Sequence, residues 1–306
     1  MKKQPLTSFI VNCYNGEKYL ERALKSIINQ TYENWELIFW DNCSTDNSKI
    51  IFESFNNSKF RYFKSKSNVS LGQARAWAVE QCKGEYIAFL DVDDEWYPEK
   101  TKTQVKIMID DSSVLSYSNV KEIYDNNKFF MTKTRWKTGY IFPNQLRQFE
   151  INLPTAMILR KKLIQKKLNF DPNIQASEEY CLFMQLIYNE KVSVIKKFLA
   201  KYYIRRDSLT NMKSHLWSKE RLYTLNKIKS RYPLFVKKYP NELREAKNRA
   251  EYYRARDYIF KKDIKNALQT MKKIRKSNWK YYILYILLFL SPRLWVIVHD
   301  YKTKRG

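Results

Sequence analysis

Gly84-Glu85-Tyr86-Ile87-Ala88-Phe89-Leu90-Asp91-Val92-Asp93-Asp94-Glu95-Trp96 decides how the rest of the chain is read. A short apolar run after a glycine is strand-like rather than helical, so Tyr86 to Leu90 is expected to be a buried strand. It runs straight into Asp91, Asp93 and Asp94. In an open parallel sheet, ligands bind just beyond the carboxyl ends of the strands, so these acids fall where chemistry is usually found. Three carboxylates in four residues repel one another unless a cation lies between them. Hard divalent cations take oxygen ligands and bridge carboxylates to phosphates, which makes Mg²⁺ or Mn²⁺ the expected ion. The other reading is an acidic cap on the helix that Pro98 begins.

Upstream, strands and helices alternate. Ser8 to Cys13 reads as the first strand and Tyr14-Asn15-Gly16 breaks it. Leu20, Ala23, Leu24, Ile27 and Ile28 then fall on one helical face. Trp35 to Trp40 is a second strand, ending at Asp41-Asn42-Cys43-Ser44-Thr45-Asp46, a run of turn and cap residues. Phe60 to Phe63 is a third strand, and Gln73 to Cys82 a helix carrying Arg75. This alternation predicts an α/β domain with a mostly parallel sheet flanked by helices. Downstream, Val114 to Tyr117, Gly139 to Phe142, Thr155 to Leu159 and Val192 to Tyr203 are expected strands. A helix opens at Ser177-Glu178-Glu179-Tyr180, with Ser177 as its cap and two acids in its first turn.

The 306 residues fit one large domain or two smaller ones. The net charge of +26 points to an anionic partner, which leaves nucleic acid, a membrane surface and a phosphorylated substrate open. The four cysteines, Cys13, Cys43, Cys82 and Cys181, show no CxxC spacing, and only two histidines accompany them. A structural zinc site and a Cys–His nucleophile are therefore not expected, and the cysteines should pack as small apolar groups. The apolar stretch after Met1-Lys2-Lys3 is interrupted by Asn12 and Asn15, so it is not read as a signal peptide, and the catalytic part is expected to face the cytoplasm.

From about Ser214 the composition turns to Lys, Arg and Tyr, with helical segments expected from Leu216 to Lys229 and from Asn241 to Lys276. The end, Trp279 to Val298, is strongly apolar. Its uncharged run from Tyr281 to Pro292 is 12 residues, short of the ~20 that cross a bilayer. Aromatics within the run and Lys/Arg on both sides suit an interfacial position. A helix hairpin buried against the domain is the alternative.

Four stretches, in this order and with these gaps, carry a resemblance: Asn12-Cys13-Tyr14-Asn15-Gly16; Asp41 to Asp46; Asn68, Gly72 and Ala74-Arg75; and Lys83 to Asp94. Together they resemble the family 2 glycosyltransferases of GT-A fold, of bacterial surface-glycan type. The resemblance covers Thr7 to about Thr210. It implies a Rossmann-like GT-A domain over 1–210, with a nucleotide-sugar half (about 1–100) and an acceptor half (about 101–210). A basic helical region, 211–306, would follow as a C-terminal extension with a membrane-associating tail at 279–298. It also implies roles: Tyr14 and Asn15 line the nucleotide pocket; Asp41 reads the uracil edge; Arg75 lies near the base and diphosphate. Asp91 sits near the ribose and metal, Asp93 is the principal ligand of an Mn²⁺ or Mg²⁺ ion, and Asp94 supports them. Glu178-Glu179 matches the family's Glu-Asp pair, whose second member is the base, so Glu179 is expected in that role with Glu178 the alternative. Arg206 to Thr210 resembles a loop that closes near the diphosphate. The chain departs from the family at Ala76 and Ala78, usually Asn and Gly, at Glu179, usually Asp, and at Cys43, usually Gly.

The implied activity is inverting, metal-dependent transfer of a sugar from a nucleotide donor, UDP above all, to a glycan acceptor. A lipid-linked acceptor suits the basic, apolar tail, on the cytoplasmic face of the cell membrane. A basic nucleic-acid-binding protein is a second reading, but the cations are spread along the chain and no recognition motif accompanies them. A nucleotidyltransferase is a third, but Tyr14-Asn15-Gly16 stands where those enzymes usually carry a glycine-rich loop.

Overall fold

The computed structural model describes residues 4–126, 128–205 and 212–303, with side chains to residue 298. The chain divides into two compact units, Met1–Phe142 with Glu150–Arg206, and Pro143–Phe149 with Asp207–Gly306.

The first unit is built on one sheet. Its strands are β1 (Thr7–Cys13), β2 (Trp35–Asp41), β3 (Phe60–Lys64), β4 (Tyr86–Asp91), β5 (Glu95–Trp96), β6 (Leu115–Tyr124), β7 (Phe129–Thr132), β8 (Met157–Leu159) and β9 (Val192–Ile204). They order as β3-β2-β1-β4-β8-β6-β9-β5, with β7 on β6. The first four strands pair in parallel. β8 joins β4 and β6 antiparallel, while β6 and β9 run parallel with a register shift at Ser118/Asn119/Val120. β1 and β2 are buried along their whole length, as expected of central strands covered on both faces. Its helices are α1 (Glu17–Ile28), α2 (Ser48–Ser54), α3 (Leu71–Glu80), α4 (Lys100–Asp111), α6 (Arg160–Gln165) and α7 (Glu178–Leu186); α5 (Phe142–Arg147), between α4 and α6 in the chain, belongs from Pro143 onward to the second unit. Leu20, Ala23, Leu24 and Ile27 of α1 pack on Phe9, Leu37 and Phe39 of the sheet, the face that the helical period assigned. This is an α/β fold with a mostly parallel sheet flanked by helices.

Several elements differ from the sequence reading. The stretch from Gly139 to Phe142 makes only an isolated bridge, Gly139 to Val192, and Phe142 already opens α5. Pro143 explains this, since it has no N–H for a ladder and suits a first helical turn. β5 and β7 are too short to carry a pattern. Ser177 precedes α7, but its hydroxyl does not make the cap bond. The expected long helix from Asn241 to Lys276 is two helices, Pro240–Phe260 and Ile264–Ile274. Lys262 between them takes a left-handed φ of 61°, and Asp263 caps the second by accepting from Asn266 N.

The second unit holds these two helices with Trp217–Arg231, Phe235–Lys238, Trp279–Leu290 and Pro292–Thr303. One apolar cluster binds it, in which Ala255, Ile259 and Met271 meet Leu284, Leu288 and Trp295. No helix among the described residues is long and apolar enough to cross a membrane.

Candidate active site

The carboxyl ends of β1, β2 and β4 form one rim. Where β1 ends, Asn15 takes a left-handed φ of 50°, and its side chain accepts from Thr45 N at 2.9 Å. Asn15 N donates to Ser44 Oγ and Gly16 N to Ser48 Oγ, so the loops after β1 and β2 are stitched together. Tyr14 stands exposed on this rim. Asp41 does not present its carboxylate there. It is fully buried, with Oδ1 accepting from Ser44 N at 2.7 Å and Oδ2 from the Tyr62 hydroxyl at 2.6 Å. Burial and then the Asp41 contact push the Tyr62 hydroxyl well above the usual tyrosine range, so Tyr62 keeps its proton and donates. Asp41 thus organises the loop in this arrangement, and contact with a base edge would require Tyr62 to give way. Cys43, at the position where glycine is usual, has φ of 71°, the left-handed region that glycine enters without steric cost.

Arg75 is delivered from the second turn of α3. Ser70 caps that helix by accepting from Gln73 N. Gly72 lies so close to the backbone of the segment before α7 that a Cβ there would sit 2.5 Å from the Asp171 carbonyl. This close approach brings Arg75 to the first turn of α7. Arg75 is only 4% exposed. Nη2 donates to Asp91 Oδ1 at 2.6 Å, and Nη1 donates to Glu178 Oε1. Burial works against its charge, but Asp91, then Glu178 and Glu179, more than offset this and raise its pKa.

Glu178 is buried and ion-paired, whereas Glu179 is partly exposed. Burial, then the Glu178 charge, pushes the Glu179 carboxyl up to about 8, against the pull of Arg75. The Tyr202 hydroxyl is raised by burial and then by Asp94, Asp91, Asp93 and Glu179. Both acidic groups therefore act on one side chain of β9, although the sequence separates them widely.

The three aspartates are brought near one another but each has its own partner. Asp91 meets Arg75, and Asp93 Oδ2 accepts from Arg205 Nη2 at 2.5 Å. Asp94 is fully buried, and its Oδ1 accepts from Tyr203 N at 2.9 Å. Arg22 donates to the Asp93 carbonyl and pairs with Glu95, which also takes Lys201. Burial raises the Asp93 carboxyl, with Asp91 adding to it and Arg205 opposing. Burial and then Asp93 and Asp91 raise Asp94 well above the carboxylate range.

Among the described residues no group of three or more His, Cys, Asp or Glu side chains is set to hold a metal ion. The expected set of Asp91, Asp93 and Asp94 is therefore not assembled here, because Arg75, Arg205 and Tyr203 N divide it. The donor chemistry nevertheless fits a hard cation. All are carboxylates, and Asp94 Oδ2 is buried with no hydrogen-bond partner among the described residues.

Arg205, Arg22 and Tyr203 received no role from the sequence. Arg205 stands beside Arg206 in a basic pair at a strand end, which is the signal that could have found it. Arg22 lies on an exposed-looking turn of α1 and gives none. The loop from Arg206 to Thr210 lies outside the described residues.

The first unit thus sets acids at the carboxyl rim of its parallel strands and joins them, through Arg75, to a glutamate pair on a helix of the same unit. The chain belongs to glycosyl transferase family 2, whose family model matches residues 8–167. It is 30% identical over 213 residues to a glycosyltransferase of Rickettsia bellii, covering 69% of this chain and 30% of that protein. The chain thus spans about a third of the length of the first Rickettsia relatives it matches. It is 27% identical over 210 residues to WfgD of Escherichia coli, named a UDP-Glc:alpha-D-GlcNAc-diphosphoundecaprenol beta-1,3-glucosyltransferase, covering 68% of this chain and 81% of WfgD. Among solved structures it is similar to S. aureus TarS 1-349 in complex with UDP-GlcNAc. The TM-score is 0.72 at 18% identity, covering 98% of this chain and 92% of that one. The likeness to TarS is one of fold.

Proposed function

We infer that this glycosyltransferase inverts the anomeric centre of a UDP-sugar as it moves the sugar to a lipid-linked glycan, in the assembly of a bacterial surface polysaccharide. One observation carries the reading. Arg75 engages Asp91 and Glu178, while Glu179 beside them has its carboxyl pushed up to about 8. A base with a pKa near the working pH both accepts a proton and exists in its ionised form.

Glu179 takes the proton of the acceptor hydroxyl as that oxygen attacks the anomeric carbon. The bond from that carbon to the diphosphate oxygen breaks on the opposite side, which inverts the centre. Glu178 holds Arg75, and Arg75 in turn favours the ionised form of Glu179. A divalent cation, Mg²⁺ or Mn²⁺, would be held by Asp91 and Asp93 with Asp94 behind them, and would neutralise charge on the leaving diphosphate. Tyr14 and Asn15 line the nucleotide side. Asp41 contributes through the loop it organises and reads uracil only if Tyr62 turns away.

UDP as the carrier is supported by the WfgD name and the TarS complex, and a diphosphate-lipid acceptor by the WfgD name. The first unit carries donor and acceptor halves, and the second carries the basic extension. The protein is peripheral, on the cytoplasmic face of the cell membrane. Release of UDP from a panel of UDP-sugars, with and without Mn²⁺ and with membrane extract as acceptor, tests the reading. Acceptor-dependent UDP release that Glu179→Gln abolishes supports it. No release from any UDP-sugar, with no UDP binding, overturns it.

A further inference from the structure

We propose that the exposed face of the helix pair Trp279–Leu290 and Pro292–Thr303 is a docking surface for an anionic lipid bilayer. The first helix is divided along its length. Leu284 and Leu288, one turn apart, are buried in the second unit's core together with Trp295 of the next helix. Trp279, Tyr282, Ile283, Ile286 and Leu290 repeat at spacings of three and four on the opposite side, and all are exposed. Phe289 and Leu290 are the most open, at 68% and 69%. Leu294 and Ile297 continue the exposed apolar surface on the second helix. One face of the pair therefore holds it to the unit, and the other is exposed, with no apolar partner among the described residues. Contiguous apolar surface rimmed by polar residues marks an interaction site.

The charges select the occupant. From Lys272 to Arg293 there is no acidic residue, and Lys272, Lys273, Arg275, Lys276, Lys280 and Arg293 supply cations. Arg275 lies 4.8 Å over the Tyr285 ring, which keeps its charge beside the helix. A second copy of the chain is disfavoured, because a two-fold interface sets the same patch against itself. Lys280 and Arg293 would then approach their counterparts with no acid among the described side chains of the patch to separate them. Anionic headgroups around an acyl region meet both the cationic rim and the apolar centre. Neither helix is long enough to cross, so the pair lies in the interface with the aromatic Trp279 and Tyr282 at headgroup level. The inference rests on the proposed membrane-side acceptor for its purpose, since it would hold the enzyme where a lipid-linked glycan is presented.

The test floats the full chain with vesicles of phosphatidylglycerol or of phosphatidylcholine, at low and high salt. The whole protein is expected to float with phosphatidylglycerol, less with phosphatidylcholine, and to stay partly bound in high salt. The double variant Phe289→Ser/Leu290→Ser, both on the open face, should lose binding about tenfold or more. It should keep the parent's melting temperature and UDP affinity, which separates this surface from the catalytic reading. Failure of the whole chain to float overturns the docking surface even if UDP binds. So does a dimer, seen by light scattering, that the double variant dissolves while flotation is unchanged. Flotation without UDP binding would leave the surface standing and reject the UDP-sugar reading.

Discussion

Arg75 and Glu178 form an ion pair that water scarcely reaches, with side chains 5% and 4% exposed. The same guanidinium reaches Asp91 at the end of β4. One cation thus joins the end of β4 to the helix that carries the proposed base. Arg75→Met leaves Glu178 buried and uncompensated, at a cost of about 3–5 kcal/mol. Arg75→Lys should recover little, because an ammonium cannot serve two carboxylates with a planar fork. Urea unfolding followed by fluorescence measures this. A loss below about 0.5 kcal/mol would show that the pair is not structural.

As the proposed base, Glu179 should set the acidic limb of the pH profile. Its carboxyl is pushed up to about 8, and only the ionised form can take a proton. Turnover should therefore climb as pH rises through about 8 and level off above it. Glu179→Gln should lower turnover about 10²-fold or more while leaving UDP affinity and the melting temperature unchanged. Glu178→Gln should instead lower the melting temperature. If the profile is flat from pH 6 to 9 in the parent enzyme, roughly the span over which such a base would titrate, Glu179 is not the base.

Asp93 and Arg205 predict opposite effects on the metal. Asp93→Asn removes the proposed principal ligand and should abolish Mn²⁺ binding, read by the free-ion signal in electron paramagnetic resonance. Arg205→Ala removes the cation that pairs with Asp93 and should tighten Mn²⁺ binding several-fold. If Arg205→Ala weakens it instead, Arg205 orders the site rather than competing for it.

Cys43 tests the backbone of the loop after β2. Its left-handed φ of 71° is compatible with glycine and hostile to β-branched side chains. Cys43→Gly should be tolerated without loss, while Cys43→Val should cost ~1–2 kcal/mol. Equal melting temperatures for the two variants would remove the conformational argument.

Legibility followed the length of the signal. β1, β2 and β4 carry apolar runs, Phe9 to Val11, Leu37 to Trp40 and Tyr86 to Leu90, that end in polar residues, and α1 shows a full helical period, so the parallel half was readable from pattern alone. β5 spans two residues and β7 four, too few for any period. At the site, Asp91, Asp93, Asp94 and Glu179 stood out as residue types at a strand end or helix start. What pairs with each did not, since Arg205 reaches Asp93 across a sheet path that no local pattern encodes. The inward turn of Asp41 was hidden for the same reason: Tyr62, on β3, reads as one more aromatic strand residue. In the tail, composition announced apolar helices. It could not say that Leu284, Leu288 and Trp295 face the protein while their neighbours face outward.

The sheet's two ends bear on how such a protein survives crowding. One end is β3, five residues long, with Arg61 and Lys64 on it; the other is β5, only two residues. Long, flat, apolar edges invite strands from other molecules, and short or charged edges refuse them. A protein concentrated on a surface meets its own copies far more often than one in bulk solution. The third free edge, β7 on β6, is only four residues long, so close lateral packing of many copies meets short strand edges throughout.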